Sequence, residues 1–270
     1  MSKQAHEETA LITGASSGIG AIYANRLAHR GYDLIMVARD QKRLAELANR
    51  LTADTGINAE VLQADLTSKL DLERVETRLR SDSRITLLLN NAGVAVAGSL
   101  INGDADRVQS MIELNILAPS RLTIAAAGAF VERARGTIIN IASVTALMPE
   151  QFNAAYSGSK AYILNLSLRL QQEAGPKGVR VPVVLPGLTR TEIYQRAGID
   201  PARFPPSAMM GVEELVDAAL AGLDQGEVVT IPSLPDPADW AAFTAARLTL
   251  GPNLSHDHAA SRYQLKADSR

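Results

Sequence analysis

Short apolar runs alternate with longer amphipathic stretches along most of this chain. The short runs are rich in β-branched residues and mostly apolar at successive positions, which is typical of parallel strands covered on both faces. They predict strands at residues 9–13, 33–38, 59–63, 86–89, 136–142, 179–185 and 228–231. The longer stretches predict helices at residues 19–29, 41–53, 69–81, 105–133, 154–173 and 212–225. Right-handed βαβ units produce such alternation, so the pattern predicts an α/β fold with a doubly wound parallel sheet and helices on both faces.

No internal repeat, low-complexity run or linker marks a boundary between domains. Proline-rich segments at residues 201–206 and 231–237 are interpreted as loops. We therefore predict one domain over residues 1–270, with its core at about residues 9–231 and a C-terminal extension at residues 232–270.

Composition and charge exclude several classes of function. A chain of 270 residues with 46% hydrophobic content can bury a large core. The net charge of −2, the lack of a basic block and an aromatic content of 4% argue against nucleic-acid binding. The absence of cysteine removes disulfides and thiolate chemistry, and the scattered histidines predict no metal site. The polar N-terminus and the lack of an apolar stretch of about 18 residues predict a soluble, cytoplasmic protein with no membrane contact.

The first predicted strand ends in a glycine-rich loop, Thr13-Gly14-Ala15-Ser16-Ser17-Gly18-Ile19-Gly20. Glycines there allow a tight turn and a close approach of the backbone to phosphate, and the start of the following helix favours anions. The spacing G-x-x-x-G-x-G differs from the general dinucleotide fingerprint G-x-G-x-x-G. The loop favours a dinucleotide site, but any tight strand-to-helix turn can also need glycine.

Tyr156 and Lys160 lie four residues apart at the start of a predicted helix and therefore share one face of it. A free tyrosine has a pKa near ~10, which is too high for efficient proton exchange at neutral pH. A neighbouring ammonium favours the phenolate and lowers that pKa. The pair predicts an acid/base catalyst, although the same spacing also fits an exposed helix with a solvated lysine.

These residues occur with others in the order and spacing of the short-chain dehydrogenase/reductase family. The shared motifs are the glycine-rich loop, Asp65, Asn90-Asn91-Ala92-Gly93, Asn115, Ser143, Tyr156-x-x-x-Lys160 and Pro186-Gly187. The resemblance covers residues 9–231 and implies a Rossmann-type fold with a seven-stranded parallel sheet. It also implies an oxidoreductase that uses NAD or NADP for hydride transfer and that forms a homodimer or homotetramer.

The resemblance implies a role for each catalytic position. Tyr156 would be the acid/base, while Lys160 would lower its pKa and bind the nicotinamide ribose. Ser143 would hold the substrate oxygen, and Asn115 would belong to a proton relay through water. Residues 188–210 would form a substrate loop. Besides Tyr156 and Lys160, the implied cofactor contacts are Gly14, Ser16, Ser17, Gly18, Ile19, Gly20, Asp65, Leu66, Asn91, Ala92, Gly93, Pro186, Gly187, Thr189 and Thr191.

Several of these positions also have a structural interpretation. Ser143 follows a predicted strand, at the edge where open α/β sheets bind ligands, and its hydroxyl can donate to an oxygen that gains negative charge. It could equally cap a turn. Asp65 could cap the turn at Leu66-Thr67. The turn at residues 90–93 could need glycine and asparagine for its backbone angles.

Pro119 lies four residues after Asn115 inside a predicted helix. Because proline has no N–H, the Asn115 carbonyl loses its usual helical donor. We expect a kink and a free carbonyl that could hold the water of the relay, unless Pro119 merely bends the helix around the core.

The second predicted strand ends at Arg39, where NAD-dependent relatives place an acidic residue. A guanidinium there suits a 2′-phosphate, with help from Ser16, Lys42 or Arg43, so we expect NADP (NADPH) to be preferred over NAD. Asp40 would oppose that preference if it pointed inward, and Arg39 could also be a solvated loop charge.

The substrate site is less visible in the sequence. Apolar residues follow Ser143 and Gly187 and would form a cleft for an uncharged, apolar aldehyde or ketone, unless they are ordinary packing. They are Val144, Thr145, Ala146, Leu147, Met148, Ile193, Tyr194, Phe204, Met209 and Met210. Trp240 and Phe243 in the extension could close the pocket, join a neighbouring subunit or do neither.

The leading hypothesis is an NADP(H)-dependent oxidoreductase that interconverts a carbonyl compound and its alcohol. One alternative is a non-catalytic regulator that senses NADP(H) with the same fold. Another is epimerase or dehydratase chemistry on a sugar nucleotide, which uses a similar Tyr/Lys pair but in relatives with a further C-terminal domain.

Overall fold

The computed structural model describes residues 8–263. The chain divides after Pro232 into two compact units.

The first unit is built on a parallel sheet of eight strands within the described residues. They are β1 (Thr9–Thr13), β2 (Asp33–Ala38), β3 (Ala59–Gln63), β4 (Ile85–Asn90), β5 (Gly136–Ile141), β6 (Val179–Arg180), β7 (Val183–Val184) and β8 (Val229–Thr230). Their order is β3-β2-β1-β4-β5-β7-β8, with β6 paired to β5. The doubly wound parallel sheet is therefore confirmed.

The strand predicted at residues 179–185 is divided into β6 and β7. Pro182 stands between them, and it has no N–H to donate to a neighbouring strand. Its carbonyl still accepts from the Asn140 N–H at 3.0 Å. The expected seven strands become eight because this one is interrupted.

Helices cover both faces of the sheet, as expected. They are α1 (Gly18–His29), α2 (Gln41–Thr55), α3 (Lys69–Ser81), α4 (Ala105–Ile112), α5 (Ala118–Glu132), α6 (Ala154–Ala174), α7 (Ile193–Ala197) and α8 (Val212–Gln225). Side chains of α1, α2 and α8 form one core cluster, and those of α3 and α5 form the other. Successive residues of β1 enter opposite clusters, Leu11 one and Ile12 the other, because side chains alternate along a strand.

The helix predicted at residues 105–133 is interrupted by a π turn, Glu113–Leu117. The Ala118 N–H donates to the Glu113 carbonyl across this turn, one residue before Pro119. Among residues 8–263, the run Ala105–Glu132 is long and apolar enough to cross a membrane by length and composition, contrary to our expectation. Half of the apolar 18-residue stretch within this run is buried inside the structure, and α5 packs on the sheet. The run is therefore a core helix.

The second unit contains α9 (Pro237–Leu248), which the sequence analysis did not predict. The Asp236 carboxylate caps it by accepting from the Ala238 N–H at 2.8 Å, and proline is well suited to a first helical position. The expected loop at residues 231–237 therefore ends at a helix start. The rings of Trp240 and Phe243 lie 5.4 Å apart on this helix.

Candidate active site

A cleft of about 900 Å³ opens at the carboxyl ends of the strands. The strand order reverses beside β1, which pairs with both β2 and β4. Open α/β sheets bind ligands at such a switch point, because the connections leave the sheet in opposite directions there. The expected cofactor contacts line the cleft except Gly20, and the expected catalytic residues line it except Asn115. Lys42 and Arg43, considered as helpers at the 2′-phosphate, do not line it.

The glycine-rich loop forms a cradle that only glycine permits. Gly14 and Gly18 have positive φ angles of 67° and 54°, which other residues adopt at a cost. A Cβ on Gly20 would lie 2.4 Å from the Gly14 carbonyl oxygen. Gly20 thus packs behind the loop and does not face the cleft. The cradle and the start of α1 behind it fit the diphosphate of a dinucleotide.

The turn after β4 is fastened to the glycine-rich loop. The Asn91 side chain donates to the Thr13 carbonyl at 2.9 Å, and Thr13 Oγ1 accepts from the N–H groups of Asn91 and Ala92. A Cβ on Gly93 would lie 3.1 Å from Asn115 Oδ1 and 3.6 Å from Lys160 Nζ. The turn therefore has a structural function and also leaves room for the two polar groups beside it.

Tyr156 and Lys160 occupy the first turns of α6, inside the cleft. The Asn153 side chain caps this helix by accepting from the Tyr156 N–H at 3.0 Å. Lys160 is buried, and its Nζ donates to the Ile141 carbonyl at 3.1 Å and lies 5.7 Å from the centre of the Tyr156 ring. The solvated-lysine interpretation is wrong.

The protonation of this pair differs from our expectation. Burial raises the pKa of Tyr156 above its usual value, the nearby Tyr194 adds to that increase, and a hydrogen bond with Ser143 opposes it. Burial lowers the pKa of Lys160 to about 8. Removing both groups from water disfavours their charged forms. In the free protein, the loss of solvent therefore determines the pKa of the phenol more than the ammonium does.

Ser143 both caps a turn and faces the cleft, so the two interpretations of this residue are compatible. Its Oγ accepts from the Thr145 N–H at 3.2 Å and so caps the short 3₁₀ turn Val144–Leu147. The hydroxyl also lies 3.4 Å from the Pro186 carbonyl, which it reaches as a donor. Ser143 is buried but lines the cleft beside Tyr156.

Asn115 lies in the π turn behind the cleft and is buried. Its side-chain oxygen accepts from the Val94 N–H, and its side-chain nitrogen donates to the Val94 carbonyl, both at 2.9 Å. It also donates to Ser159 Oγ at 3.3 Å, and Ser159 in turn donates to the Tyr156 carbonyl at 2.7 Å. Asn115 is therefore linked to the α6 backbone through Ser159, a residue that the sequence analysis did not select.

The end of β2 presents Arg39 to the cleft, and this side chain is 69% exposed. Its guanidinium lies 4.0 Å from the Asp65 carboxylate. Asp65 accepts from the N–H and hydroxyl of Thr67, so it caps the turn as one interpretation expected. Burial raises the pKa of Asp65, but these bonds and Arg39 outweigh it and hold the pKa below its usual value. Asp40 accepts from the Arg43 N–H at 3.0 Å and caps α2.

The segment after Gly187 forms another wall of the cleft. Tyr194 and Phe204 line it with their rings 5.2 Å apart. Ala146, Leu147, Met148, Met209 and Met210 do not line it, contrary to expectation. Met210 instead pairs with Thr189 through a β-bridge. Thr189 directs its hydroxyl to the Gly187 carbonyl at 3.0 Å, and its N–H donates to Tyr194 Oη at 3.2 Å.

Three charged residues of this wall, Glu192, Arg196 and Arg203, were not selected from the sequence. The spacing of four residues between Glu192 and Arg196 was a visible sign of a helical ion pair. Their proximity to the glycine-rich loop was not visible, because it depends on how the segment folds back.

Among residues 8–263, no group of three or more histidine, aspartate or glutamate side chains could hold a metal ion.

Comparison with known proteins agrees with this architecture. Residues 8–201 match the family model of the short chain dehydrogenases. A short-chain dehydrogenase from Sphingobium yanoikuyae, solved in complex with NADPH, is 49% identical, with a TM-score of 0.92 and coverage of 95% of this chain and 100% of that one. The bulky-bulky ketone specific alcohol dehydrogenase from Comamonas testosteroni is 45% identical, with a TM-score of 0.88 and coverage of 96% and 99%.

A third relative is more distant. The 3-oxoacyl-(acyl-carrier-protein) reductase of Escherichia coli is 31% identical over 229 residues, which are 82% of this chain and 92% of that one. The motif-based prediction of the family is confirmed. The chain belongs to the short-chain dehydrogenase family, whose members are oxidoreductases acting on alcohol and carbonyl groups.

Proposed function

We propose that this protein is an NADP(H)-dependent oxidoreductase that interconverts a ketone and its alcohol, with Tyr156 as the acid/base. One observation carries the proposal: Ser143, Tyr156 and Lys160 line the same cleft as the glycine cradle. A sensor of NADP(H) would need the cradle, but it would not need a hydroxyl pair beside a buried lysine.

In this proposal the bound nicotinamide supplies or accepts the hydride. Ser143 donates a hydrogen bond to the substrate oxygen and so stabilises the negative charge that develops there during reduction. Tyr156 then donates its proton to that oxygen. Because the pKa of Tyr156 is raised by burial, the phenol is protonated at neutral pH, which is the form that reduction needs.

Lys160 supports the proton donor and binds the cofactor. An ammonium has three N–H donors, and in the described residues its partner is the Ile141 carbonyl. The remaining donors would be available to a ribose hydroxyl and a water molecule. The positive charge also stabilises the phenolate that is left after Tyr156 donates its proton.

We further propose that Asn115 belongs to the relay that returns a proton to Tyr156. The absence of an N–H on Pro119 and the π turn around Asn115 support this role, because both disturb the ordinary pairing of helix carbonyls. The backbone carbonyl of Asn115 would hold the relay water, while its side chain keeps its two hydrogen bonds to the backbone of Val94.

Arg39→Ala is expected to weaken NADPH binding by about 10–100-fold and to leave NADH binding nearly unchanged. A charge-assisted hydrogen bond to the 2′-phosphate would be lost, and NADH has no such phosphate. Isothermal titration calorimetry with both nucleotides measures the two effects. The Asp40 carboxylate also lines the cleft, but it caps α2 and lies 3.6 Å from the Arg43 guanidinium, which offsets part of its charge.

The matched control for this experiment is Arg84→Ala. Arg84 is also an exposed arginine beside an aspartate, Asp82, but it lies at the amino end of β4, away from the cleft. Equal affinity of the unmodified protein for NADPH and NADH would contradict the preference for NADP.

We propose ketones with a bulky apolar group on each side of the carbonyl as substrates. The apolar wall that contains Tyr194 and Phe204 supports this class, and so does the likeness to the ketone-specific enzyme. The test is a panel of such ketones, small ketones and charged ketones, followed through NADPH absorbance. The highest kcat/KM is expected for the bulky, uncharged ketones. A preference for charged or small ketones would contradict the proposed substrate class.

We also propose that the protein is a homodimer or homotetramer. Exposed residues of the π turn, α5 and α6 support this assembly; they are Leu117, Ile124 and Tyr162. Leu117 and Ile124 lie on the same helical face as Ser120, whose hydroxyl donates to Tyr162 Oη at 3.0 Å. These residues form a patch that a second copy could cover.

A further inference from the structure

An arginine of α7 reaches the glycine-rich loop. Arg196 Nη2 lies 3.3 Å from Ser17 Oγ. Ser17 is the N-cap residue of α1, and its hydroxyl makes no capping bond to that helix. Both side chains line the cleft. The guanidinium therefore lies beside the cradle that fits the diphosphate of a dinucleotide.

Glu192 neutralises this guanidinium in the free protein. Its carboxylate binds Arg196 and also accepts from Arg43 Nη1 at 3.0 and 3.1 Å. Hydrogen bonding from Arg43, followed by the charge of Arg196, lowers the pKa of Glu192 below its usual value. All three side chains are between 44% and 53% exposed, so these ion pairs are screened by water and exchange readily.

We propose that Arg196 binds the diphosphate of the cofactor and that Glu192 takes the place of this diphosphate until the cofactor binds. The inference rests on the proposed function, because it assumes a dinucleotide in the cleft. A guanidinium binds carboxylate and phosphate through the same planar set of donors. Binding of the cofactor would therefore exchange one anion for another at Arg196.

The position of Arg196 distinguishes it from the other arginines near the cleft. Arg39 lies at the end of β2 and Arg43 at the start of α2, where the 2′-phosphate is expected. Arg196 contacts Ser17 of the glycine-rich loop instead. The two kinds of phosphate contact should respond to different nucleotides, because NADH and ADP carry the diphosphate without a 2′-phosphate.

Titration calorimetry of Arg196→Ala with four nucleotides tests the proposal. Loss of a charged hydrogen bond is expected to weaken the binding of NADPH, NADH and ADP alike, by about tenfold. Adenosine 2′-phosphate, which has no diphosphate, should bind as tightly as before. The control is Arg169→Ala, which removes the same kind of i,i+4 pair, with Glu173 on α6, outside the cleft. It should bind all four nucleotides like the unmodified protein.

Glu192→Gln tests the competing carboxylate. Removal of the negative charge is expected to tighten ADP binding by roughly two- to fivefold, because Arg196 is released. Weaker ADP binding would show that Glu192 positions Arg196 and does not compete with the diphosphate. That result would overturn this part of the proposal.

Two results with Arg196→Ala would overturn the diphosphate contact. Unchanged affinity for all four nucleotides would make Arg196 a surface ion-pair residue only. Weaker binding of NADPH and adenosine 2′-phosphate alone would place it at the 2′-phosphate. An unmodified protein that binds no dinucleotide would instead contradict the proposed function itself. Far-UV circular dichroism melts confirm that each variant is folded.

Discussion

Tyr156→Phe is expected to lower kcat for ketone reduction by about 10²–10⁴-fold and to leave NADPH affinity nearly unchanged. The substitution removes the proton donor and keeps the ring that packs near Lys160. The hydrogen bond with Ser143 is also lost, but the Asn153 side chain still accepts from the backbone N–H of residue 156 and caps α6. Steady-state kinetics on the ketone panel and calorimetry with NADPH measure the two quantities.

The control for this prediction is Tyr162→Phe, on the same helix. Tyr162 is 41% exposed, and its hydroxyl accepts from Ser120 outside the cleft. Its loss should leave kcat unchanged. Turnover that survives in Tyr156→Phe would contradict the acid/base role. A protein without turnover that binds NADPH equally well before and after the substitution would favour the NADP(H)-sensing alternative.

Lys160→Met is expected to lower kcat by about 10²–10³-fold and to remove a pH dependence of NADPH binding. It removes a charged hydrogen-bond donor that lies beside the Tyr156 ring. Burial lowers the pKa of Lys160 to about 8. Above that pH the free protein loses the ammonium, so NADPH affinity should fall by up to about tenfold per pH unit. Tyr156, with its raised pKa, stays protonated in this range.

The same substitution has an expected effect on stability. The folded-state pKa of Lys160 is below the value of about 10.4 for an exposed lysine, so the unfolded chain binds more protons between these two values. The free energy of unfolding therefore gains up to about 3 kcal/mol from this residue as the pH rises through that window. Urea unfolding at about pH 7.5 and pH 10 measures the gain, and the free energy of unfolding of Lys160→Met should not show it. If NADPH affinity and the free energy of unfolding depend on pH in the variant as they do in the unmodified protein, the two predictions for Lys160 are contradicted.

Much of the fold could be predicted from the sequence because its signals are local. The strands β1, β2 and β3 and the helices α3 and α8 have the predicted bounds. β1 and β2 are runs of buried side chains, and α3 and α8 follow a helical repeat within one segment. β3 is an edge strand whose side chains are only partly buried or exposed. The strand expected at residues 179–185 is divided at Pro182, because a missing N–H changes pairing in a way that depends on the neighbouring strand. The disturbance of the helix expected near Pro119 takes the form of a π turn just before this proline. The helix α9 was not predicted.

Most members of the candidate site could also be selected from the sequence, through the family motifs. Their protonation and their hydrogen-bond partners could not be predicted in this way. The sequence places an ammonium near the Tyr156 phenol and so predicts a lowered pKa, whereas the folded chain excludes water from both groups and raises it. Asn115 was expected as a member of the relay, but its links to Val94 and Ser159 are visible only in the fold.

The sequence by itself determined the family, the parallel sheet and the residue types at the cleft, because the alternation of strand and helix patterns and the motif spacing are properties of the chain. The tertiary structure alone decided burial, pKa direction and the approach of distant segments. Arg196 and Ser17 are 179 residues apart and meet at one loop. Contacts of this kind depend on how α7 folds over the cleft, and no local pattern encodes them.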